Sequence, residues 1–170
     1  MKKLIIDNTE FKGMLINIAR QMLKDNWRPD YIVGLTRGGL QAAVMLSHYL
    51  EVPMHTLNVS LRDSTLEPES NLWMAEDALG CFSPKKNILI VDDINDQGST
   101  INWIMNDWPS GCFPDGEGWN SVWGNNVRFA VLVDNLSSKC NVKMNYAALE
   151  INKAENDVWV EFPYEEWWTK

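Results

Sequence analysis

The stretch from Asn87 to Thr100, N-I-L-I-V-D-D-I-N-D-Q-G-S-T, constrains the fold of this chain more than any other. Ile88, Leu89, Ile90 and Val91 form a continuous, mostly β-branched apolar run. That is the pattern of a strand buried on both faces of a parallel sheet. Asp92 and Asp93 follow at once, then Asp96, Gly98, Ser99 and Thr100. Such a strand-to-helix turn lies at the carboxyl end of a strand, where ligands of open α/β sheets collect. Gly98 permits close backbone approach, and Ser99 and Thr100 place hydroxyls beside the free amides of a helix start, which suits an anion. Acids on one side and phosphate donors on the other fit a sugar phosphate. The same letters also describe a buried strand running into a solvated polar loop.

A chain of 170 residues, 45% hydrophobic and 22% charged, is expected to form one globular domain spanning 1–170. No apolar run approaches the roughly 20 residues that span a bilayer. The N-terminal M-K-K-L-I-I-D-N starts like a signal peptide but turns polar at Asp7. Cys81, Cys112 and Cys140 are odd in number, far apart and form no C-x-x-C pair, so they read as reduced thiols of a cytoplasmic protein with no metal or disulfide role. A net charge of −8 argues against nucleic acid as a partner. An anionic ligand would therefore need local positive charge, a metal, or both. Nine tryptophans, most of them after Asn102, read as core or interface aromatics.

Along the chain, Asp7, Asn8 and Thr9 offer helix caps. Phe11, Leu15, Ile18 and Met22 recur at helical spacing, which predicts a helix to about Asp25. Tyr31–Leu35 reads as a short buried strand, Leu40–Leu50 as a helix and Met54–Leu61 as a strand. The polar stretch 62–83 reads as a mobile loop and 109–126 as an extended Gly- and Trp-rich loop. Ile88–Val91 is the central strand and Thr100–Trp108 the helix after it. Val127–Val133 and Tyr146–Ile151 complete an alternation of strands and helices. Such alternation predicts an α/β fold, with a central, mostly parallel sheet flanked by helices.

Two further constellations carry chemistry. Thr36-Arg37-Gly38-Gly39 follows a strand and precedes a helix, which makes a turn with exposed amides and a planar cationic fork suited to phosphate. The plain alternative is a tight turn with a surface arginine. Near the C-terminus, Asn156–Glu165 offers Trp159 as a stacking face for a planar base, with backbone groups to read its edge. Trp159, Phe162, Trp167 and Trp168 could equally be an aromatic clasp.

The Asn87–Thr100 stretch resembles the 5-phosphoribosyl-1-pyrophosphate (PRPP) motif of type I phosphoribosyltransferases, with Gln97 where that family usually has threonine. The turn at Thr36–Gly39 looks like the pyrophosphate loop of the purine enzymes, and Asp157-Val158-Trp159-Val160 like the base-binding part of the xanthine–guanine branch. The resemblance implies the type I phosphoribosyltransferase fold, with a small hood over the base site at about 152–168. It implies that Asp92 and Asp93 hold the ribose hydroxyls, directly or through Mg²⁺. Asp96 would serve as general base beside the nucleobase, and Asp96, Gln97, Gly98, Ser99 and Thr100 would cradle the 5′-phosphate. Thr36, Arg37, Gly38 and Gly39 would bind pyrophosphate across a cis Thr36–Arg37 bond. Trp159 would stack on the base, with Val160 and Asp157 at its edge. The implied activity is Mg²⁺-dependent transfer of phosphoribose from PRPP to N9 of a 6-oxopurine, in a homodimer or homotetramer.

Two features depart from that pattern. Where the 6-oxopurine enzymes end a strand in a base-reading lysine, this chain has Asp134 and Asn135, and the nearest lysine is Lys139. Asn135, which both donates and accepts, is the candidate reader of the base edge. The segment that would close over PRPP carries Asp63, Glu67, Glu69 and Glu76 besides Arg62, Ser64 and Thr65. These departures leave two alternatives: a sensor of PRPP or a nucleotide without catalysis, and a transferase for another base.

Overall fold

The computed structural model describes residues 1–59, 71–114 and 116–169. Its element order is β1 (Lys2–Ile5), α1 (Asn8–Lys24), β2 (Tyr31–Thr36), α2 (Leu40–Leu50), β3 (Met54–Asn58), α3 (Leu72–Leu79), β4 (Ile88–Asn95) and α4 (Ser99–Gly111). A short 3₁₀ turn (Glu117–Ser121), β5 (Val127–Asn135), β6 (Tyr146–Ile151) and β7 (Val158–Glu161) follow. Five strands form one sheet in the order β3-β2-β4-β5-β6, and every pairing in it is parallel. The expected α/β class and its parallel sheet are therefore present.

The apolar run at Ile88–Val91 explains why β4 is central. Ile88 and Ile90 pack into a core with α3, α4 and Trp119, while Leu89 and Val91 pack into another with α1 and α2. Successive side chains of a strand point to opposite faces, so four consecutive apolar residues serve both layers. All four are at most 1% exposed. Burial of each contributes about 1.5–3 kcal/mol, enough to hold this strand, and the acids at its end, in the middle of the sheet.

Helix α1 begins as its sequence indicates. The Asp7 carboxylate accepts from the Glu10 amide at 2.8 Å and the Glu10 carboxylate from the Asp7 amide at 2.9 Å, a complete capping box. Asp7→Ala is expected to lower stability by about 1 kcal/mol in denaturant titration, with ligand binding unchanged.

A second, two-stranded parallel sheet pairs the two ends of the chain, with Lys2 opposite Val158 and Ile5 opposite Glu161. Neither strand is apparent in the sequence, because four residues are too few to display a period. The pair forms the hood. Val160 and Phe162 sink into the same core as Leu89 and Val91, which seats the hood on the α1–α2 face.

Three readings of local structure are corrected. Within the expected loop 62–83, Leu72–Leu79 is helical, burying Met74, Ala75 and Ala78. The acids around it obscure that spacing, and 60–70 lie outside the described residues. Within the expected loop 109–126, α4 continues through Pro109 to Gly111, and Trp119 turns inward. Trp119 stacks on Trp123 (5.5 Å between centroids) and Trp123 on Phe129 (6.0 Å), so the tryptophans of this stretch are core aromatics. Finally, β4 does not end at Val91 but continues through both acids to Asn95.

Candidate active site

Strands β2 and β4 are neighbours, so the two turns singled out in the sequence lie side by side at one edge of the sheet. A cleft of about 370 Å³ opens there, lined by Thr36, Val59 and the continuous run Asp92–Ile101. Because β4 extends through the acids, their placement is inherited from the strand. Asp92 and Asp93 are half-buried, and their carboxylates fold back on the chain. Asp92 Oδ1 accepts from the Asp93 amide at 2.9 Å and Asp93 Oδ1 from the Ile94 amide at 2.7 Å.

The Thr36–Arg37 peptide is cis, as the resemblance implies. Thr36 Oγ1 donates to Asn58 Oδ1 at 3.1 Å, tying the turn to β3. Arg37 is exposed at the tip. Gly38 lies against Asp93 so closely that a β-carbon there would overlap the carboxylate. The cationic turn and the acid pair are thus in direct contact, which no spacing in the sequence could show.

Tyr164 completes this corner from the hood. Its hydroxyl lies 2.9 Å from both the Gly38 carbonyl and Asp93 Oδ2, and its single proton serves one of them at a time. Burial, and then the Asp93 charge, push the phenol far above its ordinary pKa, so it remains a donor. Its ring stacks on Phe162 (5.7 Å) and meets Phe11 edge-on (6.0 Å), which fixes its reach. The only sequence signal for it is its place after Pro163 in the C-terminal motif.

At the other end of the cleft, Gly98 precedes α4 with φ +83°, and a β-carbon there would meet the backbone of Cys140. Gly98 has no side chain to cap the first amides of α4, which starts at Ser99 and Thr100. Gln97 and Ser99 are exposed, and Thr100 is half-buried. All of them line the cleft.

Asp96 sits between cradle and hood. Its Oδ1 accepts from Lys153 Nζ at 2.9 Å, both side chains being about four-fifths buried (17% and 21% exposed). This is the lysine that the fold brings to the acids. Sequence reasoning missed it because it lies on the loop after β6 rather than at the end of β5, where Lys139 was the nearest.

Asn135 has a different place from the one expected. It is buried, and its Nδ2 donates to the Asp96 carbonyl at 2.8 Å. Its Oδ1 accepts from the Ser137 hydroxyl at 2.8 Å and the Lys153 amide at 3.0 Å. One amide therefore braces both Asp96 and Lys153. Asp134 is similarly engaged, accepting from Asn95 Nδ2 at 2.8 Å. Trp159 and Asp157 are exposed on the hood and Val160 is buried in it; none of the three lines the cleft.

No group of three or more His, Cys, Asp or Glu among the described residues could hold a metal alone. Asp92 and Asp93 do offer hard carboxylate oxygens on one cleft wall. That suits Mg²⁺, which takes one or two carboxylates and completes its shell with water and substrate phosphates.

The central parallel sheet thus carries the Thr36–Gly39 turn, the acid pair and the start of α4 around one cleft. The sequence matches the phosphoribosyl transferase domain over residues 4–166, and the chain belongs to that family. A sequence comparison with curated proteins finds no match. Among solved structures it is similar to a purine phosphoribosyltransferase from Pyrococcus horikoshii, at 23% identity and TM-score 0.66, covering 98% of this chain and 95% of that one. The xanthine-guanine-hypoxanthine phosphoribosyltransferase of Helicobacter pylori is similar at 18% identity and TM-score 0.68, with 97% and 95% covered. A hypothetical protein from Neisseria gonorrhoeae with bound ppGpp is similar at 17% identity and TM-score 0.66, with 97% and 90% covered. At these identities the likeness shows the fold, that of the type I phosphoribosyltransferases. No described helix is long and apolar enough to cross a membrane.

Proposed function

We propose that the chain transfers phosphoribose from PRPP to N9 of a 6-oxopurine, releasing pyrophosphate. The observation that carries this reading is the contact of the Gly38 turn with Asp93 inside a cleft that ends in the Gly98–Thr100 cradle. It gives one elongated ligand a pyrophosphate turn, a pair of acids for ribose hydroxyls and a phosphate cradle, in that order.

Bond breaking at C1′ develops positive charge on the ribose, and carboxylates nearby stabilise it. Asp92 and Asp93 are placed for that role and are the residues that would hold Mg²⁺. The ion would neutralise the departing pyrophosphate. Arg37 and the Gly38 amide take the same anion from the other side, and the Gly39 amide closes the turn by donating to the Leu35 carbonyl at 2.9 Å. Tyr164 keeps the turn and Asp93 in register as the hood covers them. Asp96, paired with Lys153 and braced by Asn135, accepts or orients the base proton at N7. Trp159 stacks on the base, with Val160 and Asp157 at its edge, once the hood and ligand come together. A homodimer or homotetramer in the cytoplasm is part of the same proposal.

The bound ppGpp of the Neisseria gonorrhoeae protein favours one second reading, a nucleotide sensor without catalysis. The test is pyrophosphate release from PRPP and Mg²⁺ with guanine, xanthine, hypoxanthine, adenine, uracil, orotate or nicotinate. Release with one or more of the three 6-oxopurines is expected. Release with adenine or a pyrimidine alone would keep the reaction and overturn the base. Silence throughout, with PRPP or a guanosine polyphosphate still bound, would favour the sensor.

A further inference from the structure

Cys81 and Cys112 are far apart in sequence, yet their sulfurs lie 3.3 Å apart. Cys81 follows Gly80, the left-handed cap of α3, and Cys112 is the cap of α4. Each is held in place by its backbone. The Cys81 amide donates to Glu76 O at 3.2 Å, the Cys112 amide to Pro109 O at 3.1 Å, and the Cys112 carbonyl accepts from Trp119 Nε1 at 2.8 Å. The two helices pack together, so the thiols face each other across a fixed gap.

We propose that Cys81 and Cys112 are a modification site: a dithiol that small disulfides of the glutathione type convert to an intramolecular disulfide bridging α3 and α4. Closing the bond needs a sulfur approach of roughly 1 Å, within the reach of side-chain rotation. Cys81 is half-exposed and Cys112 only 5% exposed, so the two have different roles. Cys81, the more exposed of the two, is the first to react, and burial raises the Cys112 thiol pKa.

The Cys81 thiol loses its proton, and its thiolate attacks one sulfur of oxidised glutathione. The glutathione S–S bond breaks, and one glutathione thiolate leaves and takes up a proton. The Cys112 thiolate then attacks the Cys81 sulfur of the mixed disulfide and expels the second glutathione, which is protonated in turn. Two protein thiols and one oxidised glutathione become one protein disulfide and two reduced glutathiones. The protein is oxidised by two electrons. Because Cys112 is packed against Cys81, the mixed disulfide is short-lived. The bridge would fix α3, which follows 60–70, to the helix whose other end forms the phosphate cradle.

The test is incubation of the full chain with oxidised and reduced glutathione at graded ratios, followed by intact mass and a non-reducing digest. Expected are a loss of two hydrogen masses, two fewer titratable thiols, a Cys81–Cys112 linked peptide, and reversal by dithiothreitol. Cys140, in the loop against Gly98, should stay free. Cys112→Ser should instead trap one glutathione on Cys81. A stable glutathione adduct on the unsubstituted chain, a bridge involving Cys140, or three free thiols at every ratio would overturn the proposal.

Discussion

Asp96→Asn is expected to lower turnover by about 10²–10⁴-fold, the range over which a positioned acid or base contributes, while PRPP affinity changes only a few-fold. The expectation follows from how Asp96 is held. Asn135 Nδ2 fixes its carbonyl at 2.8 Å and Lys153 Nζ its carboxylate at 2.9 Å, so the group is oriented before any ligand arrives. Asparagine keeps the shape and the backbone brace but cannot accept a proton. It also leaves Lys153 beside a neutral amide in a poorly solvated position. Some loss of stability is therefore expected, and thermal denaturation of the variant separates it from the loss of rate. Lys153→Met supplies the contrast. It removes the cation and keeps the acid, so it should lower turnover less than Asp96→Asn does. Single-turnover rates with saturating PRPP, set beside calorimetric PRPP affinities, read both variants. Equal losses in rate and affinity for Asp96→Asn would make the residue a structural strut.

What the sequence revealed of this site was whatever is local in the chain. The run Ile88–Val91 announces a strand buried on both faces, and the acids and cradle that follow need only the next nine residues. The turn at Thr36–Gly39 is legible for the same reason. What it concealed is what the tertiary fold assembles. Lys153 reaches Asp96 across 57 positions, and Tyr164 reaches Asp93 across 71. Neither pairing follows any short spacing. Asn135 shows the complementary case. Its chemistry suits a base edge, but a buried amide must satisfy its own polar atoms first, and its neighbours at Asp96, Ser137 and Lys153 do so. The helix at Leu72–Leu79 was hidden among acids, and β1 and β7 are too short to display a period. Local patterns thus located the two turns and the acid pair, while the contacts of Lys153 and Tyr164 with them depend on the tertiary fold.

Gly38→Ala should weaken PRPP and pyrophosphate binding by about 100-fold, or about 2.7 kcal/mol. The added methyl falls where the Asp93 carboxylate now lies. That carboxylate cannot simply rotate aside, because Oδ1 accepts from the Ile94 amide and Oδ2 lies 2.9 Å from the Tyr164 hydroxyl. Either the acid leaves the ribose side of the cleft, or the turn carrying Arg37 withdraws from the pyrophosphate side. Both outcomes separate two groups that must hold one ligand at once. Gly38 has no positive φ, so alanine imposes no left-handed strain, and the buried core of β2 and β4 is untouched. Thermal stability should accordingly fall little while affinity falls steeply. Isothermal titration with PRPP and Mg²⁺, alongside a melting curve, distinguishes these effects. Tyr164→Phe, which removes one anchor of the same carboxylate, should relieve part of the loss in the double variant by letting Asp93 swing clear. Native affinity in Gly38→Ala would show that the turn and Asp93 do not grip the same ligand.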